Sequence, residues 1–296
     1  MRQGFPTNRT IKFQAKVIMG AALPAVLKVT FLVVSIQVAL NLLRGALGGT
    51  LGYYLVDLSK YASSATGFFR TDQGFNIIFR LDLLNTVLAF PITYHQLFTF
   101  LLINFVIFLL MTPMKMGLLE QYWNLHQGQK LPWNRIFRWY LEPELAGKSL
   151  AVELVLNLGS RIVGILFLAP SLLLYFKLYS GSWVTDKSAV SLLGLLVFVL
   201  LIVGGLATYF VYTVLFPTRY CLVSHPEMSV KMILDRGVGC MKGYRKSFFT
   251  FRLSFILLFV LSELSYGAVD LYVAPYTNLA SMEYLHQVAE VKTSDQ

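Results

Sequence analysis

The chain has 296 residues, of which 56% are hydrophobic and only 14% are charged, and its formal net charge is +10. Soluble domains carry about a quarter charged residues, so this composition excludes an ordinary soluble domain and favours lipid as the surrounding medium. Two cysteines in the whole chain exclude a disulfide scaffold. The positive balance fits cationic loops beside anionic headgroups better than a nucleic-acid partner.

Long apolar segments predict membrane-spanning helices, because a bilayer core about 30 Å thick requires about 20 apolar residues of helix. The predicted spans cover, in chain order, about 17–43, 97–118, 150–179, 189–215 and 248–273. Pro170 is expected to break the third span, Pro217 to stop the fourth and Pro275 to end the fifth. We therefore predict an all-α, polytopic transmembrane helix bundle with about five principal spans and interfacial amphipathic helices, forming one integral membrane domain over residues 1–296.

Residues 44–95 leave their relation to the membrane open. Four glycines between residues 45 and 52 have small-xxx-small spacings, which let helices approach closely. Residues 75–90 are apolar but carry Arg80 and Asp82, as in an interfacial amphipathic helix. The segment therefore crosses as a hairpin, dips in as a re-entrant turn or lies flat, and a crossing hairpin would give seven spans without moving the ends.

Loop charge predicts the orientation, because Lys and Arg resist translocation. Basic residues concentrate in the N-terminal tail and in the segments that follow the second and fourth predicted spans. With five spans these three places share one side. We therefore expect a multi-pass protein of a bacterial cytoplasmic membrane, with the N-terminus inside and the C-terminus outside. The segments 120–143, which is rich in Trp, and 228–246 are both interpreted as interfacial.

Four polar or ionisable side chains are predicted to approach the bilayer midplane: Lys28, Asn104, Arg161 and Glu263. An ionisable group at that depth costs several kcal/mol unless it is paired or hydrated. The favoured interpretation is structural, with Glu263 paired to Arg161 or Lys28 and Asn104 satisfying remaining donors. The alternative is a polar cavity for a solute or a proton path. Snorkelling of Lys28 toward the cytoplasm would weaken the cluster.

Two further sets of residues are candidates for specific contacts. In the third predicted span, Glu153, Asn157 and Arg161 follow at i, i+4 and i+8. They form a polar stripe on one helix face, which must face protein or water. The predicted contacts to anionic lipid headgroups are made by four basic residues near aromatic neighbours: Lys242, Arg245, Lys246 and Arg252.

The C-terminal third contains a series of short motifs. They are, in order, His225-Pro226, Met241-Lys242-Gly243, Leu253-Ser254-Phe255, Gly267 and Pro275-Tyr276. This series resembles a bacterial polytopic family, the domain of unknown function 975. Its members have an Asn-Pro or His-Pro turn, an amphipathic helix ending in Met-Lys-Gly, and a span that starts at Leu-Ser-Phe and closes at Pro-Tyr. The central Pro170 and the opening residues 11–16 are also similar, whereas Ser171, Leu258 and Tyr284 depart from the pattern. The resemblance implies a divergent member with a membrane fold and no assigned activity.

The sequence carries no recognisable catalytic or metal-binding motif. Its four histidines lie in separate segments without zinc-site spacing, and neither a phosphate-binding glycine pattern nor a nucleophile elbow occurs. We therefore expect no enzyme, cofactor or metal. The predicted function is that of an accessory or structural partner of a membrane transport or envelope system, with another membrane protein or a second copy as partner. The alternative, suggested by the midplane cluster, Pro170 and Gly204-Gly205, is a small-solute or lipid transporter.

Overall fold

The structure is a computed structural model that describes residues 5–47, 94–129, 132–179, 187–264 and 269–294. In these ranges all regular secondary structure is helical. The helices are α1 Asn8–Ala21, α2 Leu23–Leu47, α3 Tyr94–His126, a 3₁₀ helix Trp133–Phe137, α4 Arg138–Leu141, α5 Pro143–Tyr179, α6 Lys187–Leu215, α7 Pro217–Ser224, α8 Val230–Cys240, α9 Arg245–Leu253, α10 Ile256–Leu264 and α11 Asp270–Ser294. The predictions for residues 48–93, including the glycines from 48 to 52 and the segment 75–90, lie outside the described residues.

Among the described residues, four stretches are long and apolar enough to cross a membrane. They are Leu23–Leu40, Leu102–His126, Pro143–Phe167 and Gly194–Ser224. They coincide with the first four predicted spans, so the predicted all-α bundle of membrane-spanning helices is confirmed for these four.

Pro170 does not break its helix as predicted, whereas Pro217 has the predicted effect. Pro170 lies inside the continuous helix α5, where a break was predicted. A proline removes one backbone hydrogen bond, and membrane helices tolerate this where local adjustments satisfy the freed carbonyl. Pro217 behaves as predicted, because α6 ends at Leu215 and Pro217 is the first residue of α7, a position that needs no backbone N–H.

The predicted fifth span, 248–273, is not one helix. The structure divides it among α9, α10 and the start of α11, with a turn at Ser254 in which the backbone N–H donates to the carbonyl of Phe251. Helix α10 is described over nine residues, Ile256–Leu264, and residues 265–268 after it lie outside the described residues. Pro275 lies inside α11 and does not end a helix there.

The internal contacts of the chain divide it into two compact units, and the prediction of one integral membrane domain over residues 1–296 stays a prediction. One contains residues 1–34 and 112–296, and the other contains residues 35–111. In the second unit, the described part of α3 exposes Leu102, Phe105 and Val106 at 49%, 56% and 45%. Large apolar side chains on a helix of spanning length are what a lipid environment favours.

Helices α5 and α6 of the first unit pack antiparallel through small residues. A Cβ placed on Gly204 would lie 2.6 Å from Cβ of Phe167, and one on Gly164 would lie 3.1 Å from Oγ1 of Thr208. Contacts this short mean that the two backbones approach each other closely, as at small-residue interfaces in membranes.

Helix α11 lies at the centre of a second group of helices, formed by α1 and α7–α11, which we call the C-terminal layer. Its residues Leu279, Ala280, Met282 and Tyr284 are each 0% exposed. Helix α1 packs against α11 and buries Ile11, Ala15 and Met19, which share one helix face at i, i+4 and i+8.

The N-terminal residues and the last helix are in direct contact. The ring centroids of Phe5 and Tyr284 are 5.1 Å apart. Lys12 and Lys16 of α1 lie over the rings of Phe255 and Tyr276, at 4.4 and 5.5 Å. The first and last described helices therefore pack directly against each other, and the predicted sides of the two ends stay a prediction.

Candidate functional site

A buried ion pair joins the third spanning helix to the end of the fourth. Nη2 of Arg219 donates to Oε2 of Glu153 at 2.7 Å, and Nη1 donates to the hydroxyl of Tyr212 at 2.6 Å. Nε of Arg219 lies 2.5 Å from Oε1 of Glu153, and the two side chains are 20% and 7% exposed. The charge-assisted hydrogen bond from Nη2 is of the strong class, since both partners are ionised. It fixes α5 against α7.

Local sequence explains why Arg219 points toward α5. Pro217 starts α7 immediately after α6, and Oγ1 of Thr218 donates to the carbonyl of Leu215 at 2.7 Å. Helix α8 then closes on this turn through Gly237, where a Cβ would lie 2.6 Å from Cα of Thr218. The turn is therefore held on both sides, and it carries Arg219 in its first helical positions.

A second arginine shares the aromatic surroundings of Arg219. Arg252 of α9 is 6% exposed, and its guanidinium carbon lies 3.7 Å from the ring centroid of Phe216. Arg219 lies over the same ring at 5.2 Å, and Tyr212 contacts both guanidinium groups at 5.3 and 5.9 Å. Within the described residues, Nε and Nη1 of Arg252 are buried without a hydrogen-bond partner. Two cations therefore share the ring of Phe216, and one of them, Arg219, is paired with Glu153.

Another polar contact ties the end of α3 to α11. Nε2 of His126 and Oε2 of Glu283 are 2.8 Å apart, and both side chains are buried. The amide of Gln287 donates to Oε1 of Glu283 at 3.0 Å, and the ring of His286 lies 5.6 Å from that of His126. The hydrogen bond from His126, followed by that from Gln287, holds the pKa of Glu283 below its ordinary value against the opposing effect of burial.

The Trp-rich segment is anchored to α3 by one carboxylate. Oε2 of Glu120 accepts from the indole N–H of Trp139 at 2.7 Å, and Oε1 accepts from Nη1 of Arg138 at 3.2 Å. Trp139 is 1% exposed, whereas Trp133 is 50% exposed. The interfacial interpretation therefore fits Trp133, while Trp139 is a core residue whose N–H has its own buried acceptor.

The predicted midplane residues occupy different surroundings. Lys28 is exposed, and its Nζ lies 5.7 Å from the ring centroid of Trp133 in the 3₁₀ helix. Arg161 is exposed on α5. Asn104 belongs to the second compact unit, and the side chain of Glu263 lies outside the described residues. The predicted cluster of these four residues therefore stays a prediction.

The predicted polar stripe of the third span and the predicted headgroup contacts each contain both buried and exposed residues. Nδ2 of Asn157 donates to Oε2 of Glu153 at 3.3 Å, so these two residues share the buried ion pair, while Arg161 lies on the exposed surface. Lys242, Arg245 and Lys246 are exposed, as contact with headgroups requires. Arg252, predicted as their companion, is buried, because its guanidinium stacks on Phe216 rather than reaching solvent.

Arg219 and Glu283 were not selected from the sequence. Arg219 follows an apolar run and was counted only as a loop charge, and nothing in its neighbourhood names Glu153, which lies 66 positions away, as its partner. Glu283 stands in a polar C-terminal segment that carries no recognisable pattern. The position of an arginine two residues after Pro217 was the one local signal available.

The chain matches the family model described as protein of unknown function DUF975 over residues 65–292. The chain belongs to the DUF975 family. Membership confirms the resemblance seen in the C-terminal motifs, and the description of the family assigns no activity. No curated protein and no solved structure matches the chain.

The structure gives the motifs of this DUF975 chain a physical role. Met241 is 0% exposed, and Gly243 two residues later has φ +90°, a conformation that side chains disfavour and glycine adopts freely. Ser254 forms the turn between α9 and α10. Tyr276 packs edge-on against Phe255 at 5.5 Å. The motifs therefore mark the turns and contacts that fold the C-terminal layer.

Proposed function

We propose that this protein is a non-enzymatic, multi-pass protein of the cell membrane that acts as an accessory or structural partner of a membrane transport or envelope system. The single observation that carries the proposal is the exposure of Arg161 on an apolar face of α5. Its neighbours Leu158, Ile162 and Ile165 are 53%, 50% and 62% exposed. A cation on such a surface indicates a contact with a group of opposite charge.

The position of Arg161 along the spanning helix α5 strengthens this argument. Arg161 is eight residues beyond Glu153 on the same helix, which places it roughly 12 Å further along the span. An arginine facing hydrocarbon costs several kcal/mol unless it reaches water or a counter-charge. We infer an acidic side chain on a neighbouring membrane protein, or on a second copy, as the group that meets it.

The orientation follows from charge and from the contact between the ends. Four spans bring the N-terminus and the C-terminus to one side, in agreement with the contact between Phe5 and Tyr284. The basic residues of the N-terminal tail and of the segments after the second and fourth spans lie on that side too. By the positive-inside rule this side is the cytoplasm, so both ends are proposed to lie inside.

Co-purification from native membranes in polymer nanodiscs tests the partner. Wild-type protein should retain a stoichiometric second membrane protein, or a second copy. Arg161→Leu should lose it while its melting temperature in detergent stays the same. Arg135→Leu is the matched control, since Arg135 is exposed in the 3₁₀ helix, and it should retain the partner. Restoring the complex with Arg161→Glu and a reversed charge on the partner would identify the contact.

The transporter alternative gives opposite results in the same system. Wild-type protein that purifies as a monomer, and Arg161→Leu protein that behaves as wild type in membranes, would each contradict the proposal. Solute flux into liposomes that contain only this chain, lost in Arg161→Leu, would favour the transporter instead.

A further inference from the structure

The seam between α6 and α9 concentrates buried hydrogen-bonding atoms that lack partners. In the described part of the chain these are the hydroxyls of Tyr209 and Thr213 on α6, and Nε and Nη1 of Arg252 on α9. Buried polar groups are almost always hydrogen-bonded, so each exception requires an explanation. Several exceptions in one place indicate a common partner that the described residues do not supply.

Side-chain contacts place these groups along one seam. Phe249 of α9 packs against Tyr209 and Phe210 of α6, with ring centroids 5.8 and 5.3 Å apart. Arg252 is three residues after Phe249, on the same side of α9, and stacks on Phe216. On α6 and its end, Tyr209, Thr213 and Phe216 follow at i, i+4 and i+7, which puts them on one face. The two hydroxyls and the guanidinium therefore belong to the two helix faces that the contacts of Phe249 and Phe216 bring together.

The charge balance of the seam calls for an anion. The carboxylate of Glu153 already accepts from Nη2 of Arg219 and lies close to its Nε. Arg252 stacks on the ring that Arg219 also contacts, and among the described residues its Nε and Nη1 have no hydrogen-bond partner. An uncompensated buried charge is strongly destabilising, and a guanidinium can only donate hydrogen bonds.

We propose that the seam between α6 and α9 binds a phosphate group through Arg252, Tyr209 and Thr213. The planar donor edge of arginine matches phosphate oxygens. Donors from two different helices, hydroxyls on α6 and the guanidinium on α9, suit a tetrahedral acceptor better than a planar carboxylate. The exposed Arg245 and Lys246 in the first turn of α9 raise the local concentration of anions. The phosphate comes either from a phospholipid headgroup or from a free phosphate.

Thermal melting of the full-length protein in a neutral detergent tests the site in two arms. One arm adds inorganic phosphate and the other adds phosphatidylglycerol, and native mass spectrometry counts the lipid bound. Stabilisation by phosphatidylglycerol alone assigns the site to a lipid headgroup, and stabilisation by inorganic phosphate assigns it to a free phosphate. Either result supports the proposal.

Conservative variants keep the test independent of folding. Tyr209→Phe and Thr213→Val retain shape and should each weaken binding about tenfold, as expected for one hydrogen bond to a charged group, and Arg252→Gln should abolish it. Lys246→Gln, on the same helix but exposed, should weaken binding at most slightly. The proposal is overturned if neither ligand stabilises the wild type, if the two hydroxyl variants bind as the wild type does, or if Lys246→Gln loses as much affinity as they do.

Discussion

At the scale of single residues, the molecule keeps its charged groups in short, specific contacts. Glu153 and Arg219 form a nearly buried pair whose carboxylate also accepts from Asn157. A buried pair of this kind contributes little compared with apolar residues of the same shape, but removing one member leaves the other charged and unpaired. The loss of one partner therefore changes the stability of the protein more than the intact pair contributes to it.

Replacing Glu153 with Gln should destabilise the protein by about 3–5 kcal/mol, because Arg219 then remains buried without a counter-charge. The measurement is the melting temperature in detergent. Glu144→Gln is the control, since the carboxylate of Glu144 is 79% exposed beside Lys148, and exposed pairs contribute little. Equal shifts for the two variants would show that the pair with Arg219 is not buried in solution.

A second residue-scale prediction concerns acid. The pKa of Glu283 lies below its ordinary value of 4.5, because His126 hydrogen-bonds the charged form. A carboxylate with a lowered pKa stabilises the folded state above the unfolded pKa and loses that contribution as pH falls through the folded pKa. Glu283→Gln should therefore melt below wild type at pH 7, with the difference shrinking as pH falls below about 4.5. A difference that stays constant down to pH 3 would contradict the prediction.

The sequence could predict which residues need a polar partner, but it could identify only some of those partners. Glu153 and Asn157 were expected to face protein or water because lipid cannot satisfy them, and they share a contact. The partner Arg219 could not be named, because the turn at Pro217 that delivers it depends on packing between α7 and α8. Arg252 was predicted to be exposed to headgroups, because the local sequence does not show that Phe216 lies against its guanidinium.

At the scale of elements, glycine sets the distance between α5 and α6. The pair Gly204 and Gly205 was a candidate for a helix break, yet α6 continues through both. A Cβ on Gly204 would meet Cβ of Phe167 at 2.6 Å, whereas one on Gly205 meets nothing within 4 Å. Adjacent positions therefore have different roles, one in packing and the other at the surface.

Gly204→Ala should destabilise the protein by about 1–3 kcal/mol. Cβ of Phe167 is bonded to the backbone and cannot rotate away from the added methyl group, so the two helices must separate. Gly205→Ala provides the control one residue away. It should be neutral or stabilising by up to about 1 kcal/mol, as alanine favours helix over glycine. Melting temperatures in one detergent compare them, and a larger loss for Gly205→Ala would refute this account of the packing.

Element boundaries were predictable where hydropathy and length agree. The four confirmed spans have apolar runs long enough to cross, and Pro217 ends the fourth. The fifth predicted span is interrupted by a turn at Ser254, which average hydropathy does not detect.

At the scale of the whole molecule, the number of spans decides the sides of the ends. Five crossings separate the termini, while four bring them together, and four candidate spans are found among the described residues. Loop charge alone could not distinguish these cases, because the C-terminal segment carries only Lys292 beyond the last predicted span.

Reporter fusions test the arrangement. A fluorescent protein fused after residue 296 should fluoresce in the cytoplasm, and one fused before residue 1 should do the same. Alkaline phosphatase inserted between α5 and α6 should be active, because that connection lies on the opposite side in a four-span arrangement. Phosphatase activity at the C-terminus would instead restore the five-span topology.

The contact between the first and last helices also has a consequence for biogenesis. The apolar face of α1 packs on α11, and α11 ends at Ser294, so this face stays uncovered while the ribosome makes everything in between. The C-terminal layer therefore closes only after residues 270–294 have been made. A chain truncated before α11 would expose Ile11, Ala15 and Met19, so we expect proteases to degrade it faster than the 296-residue chain.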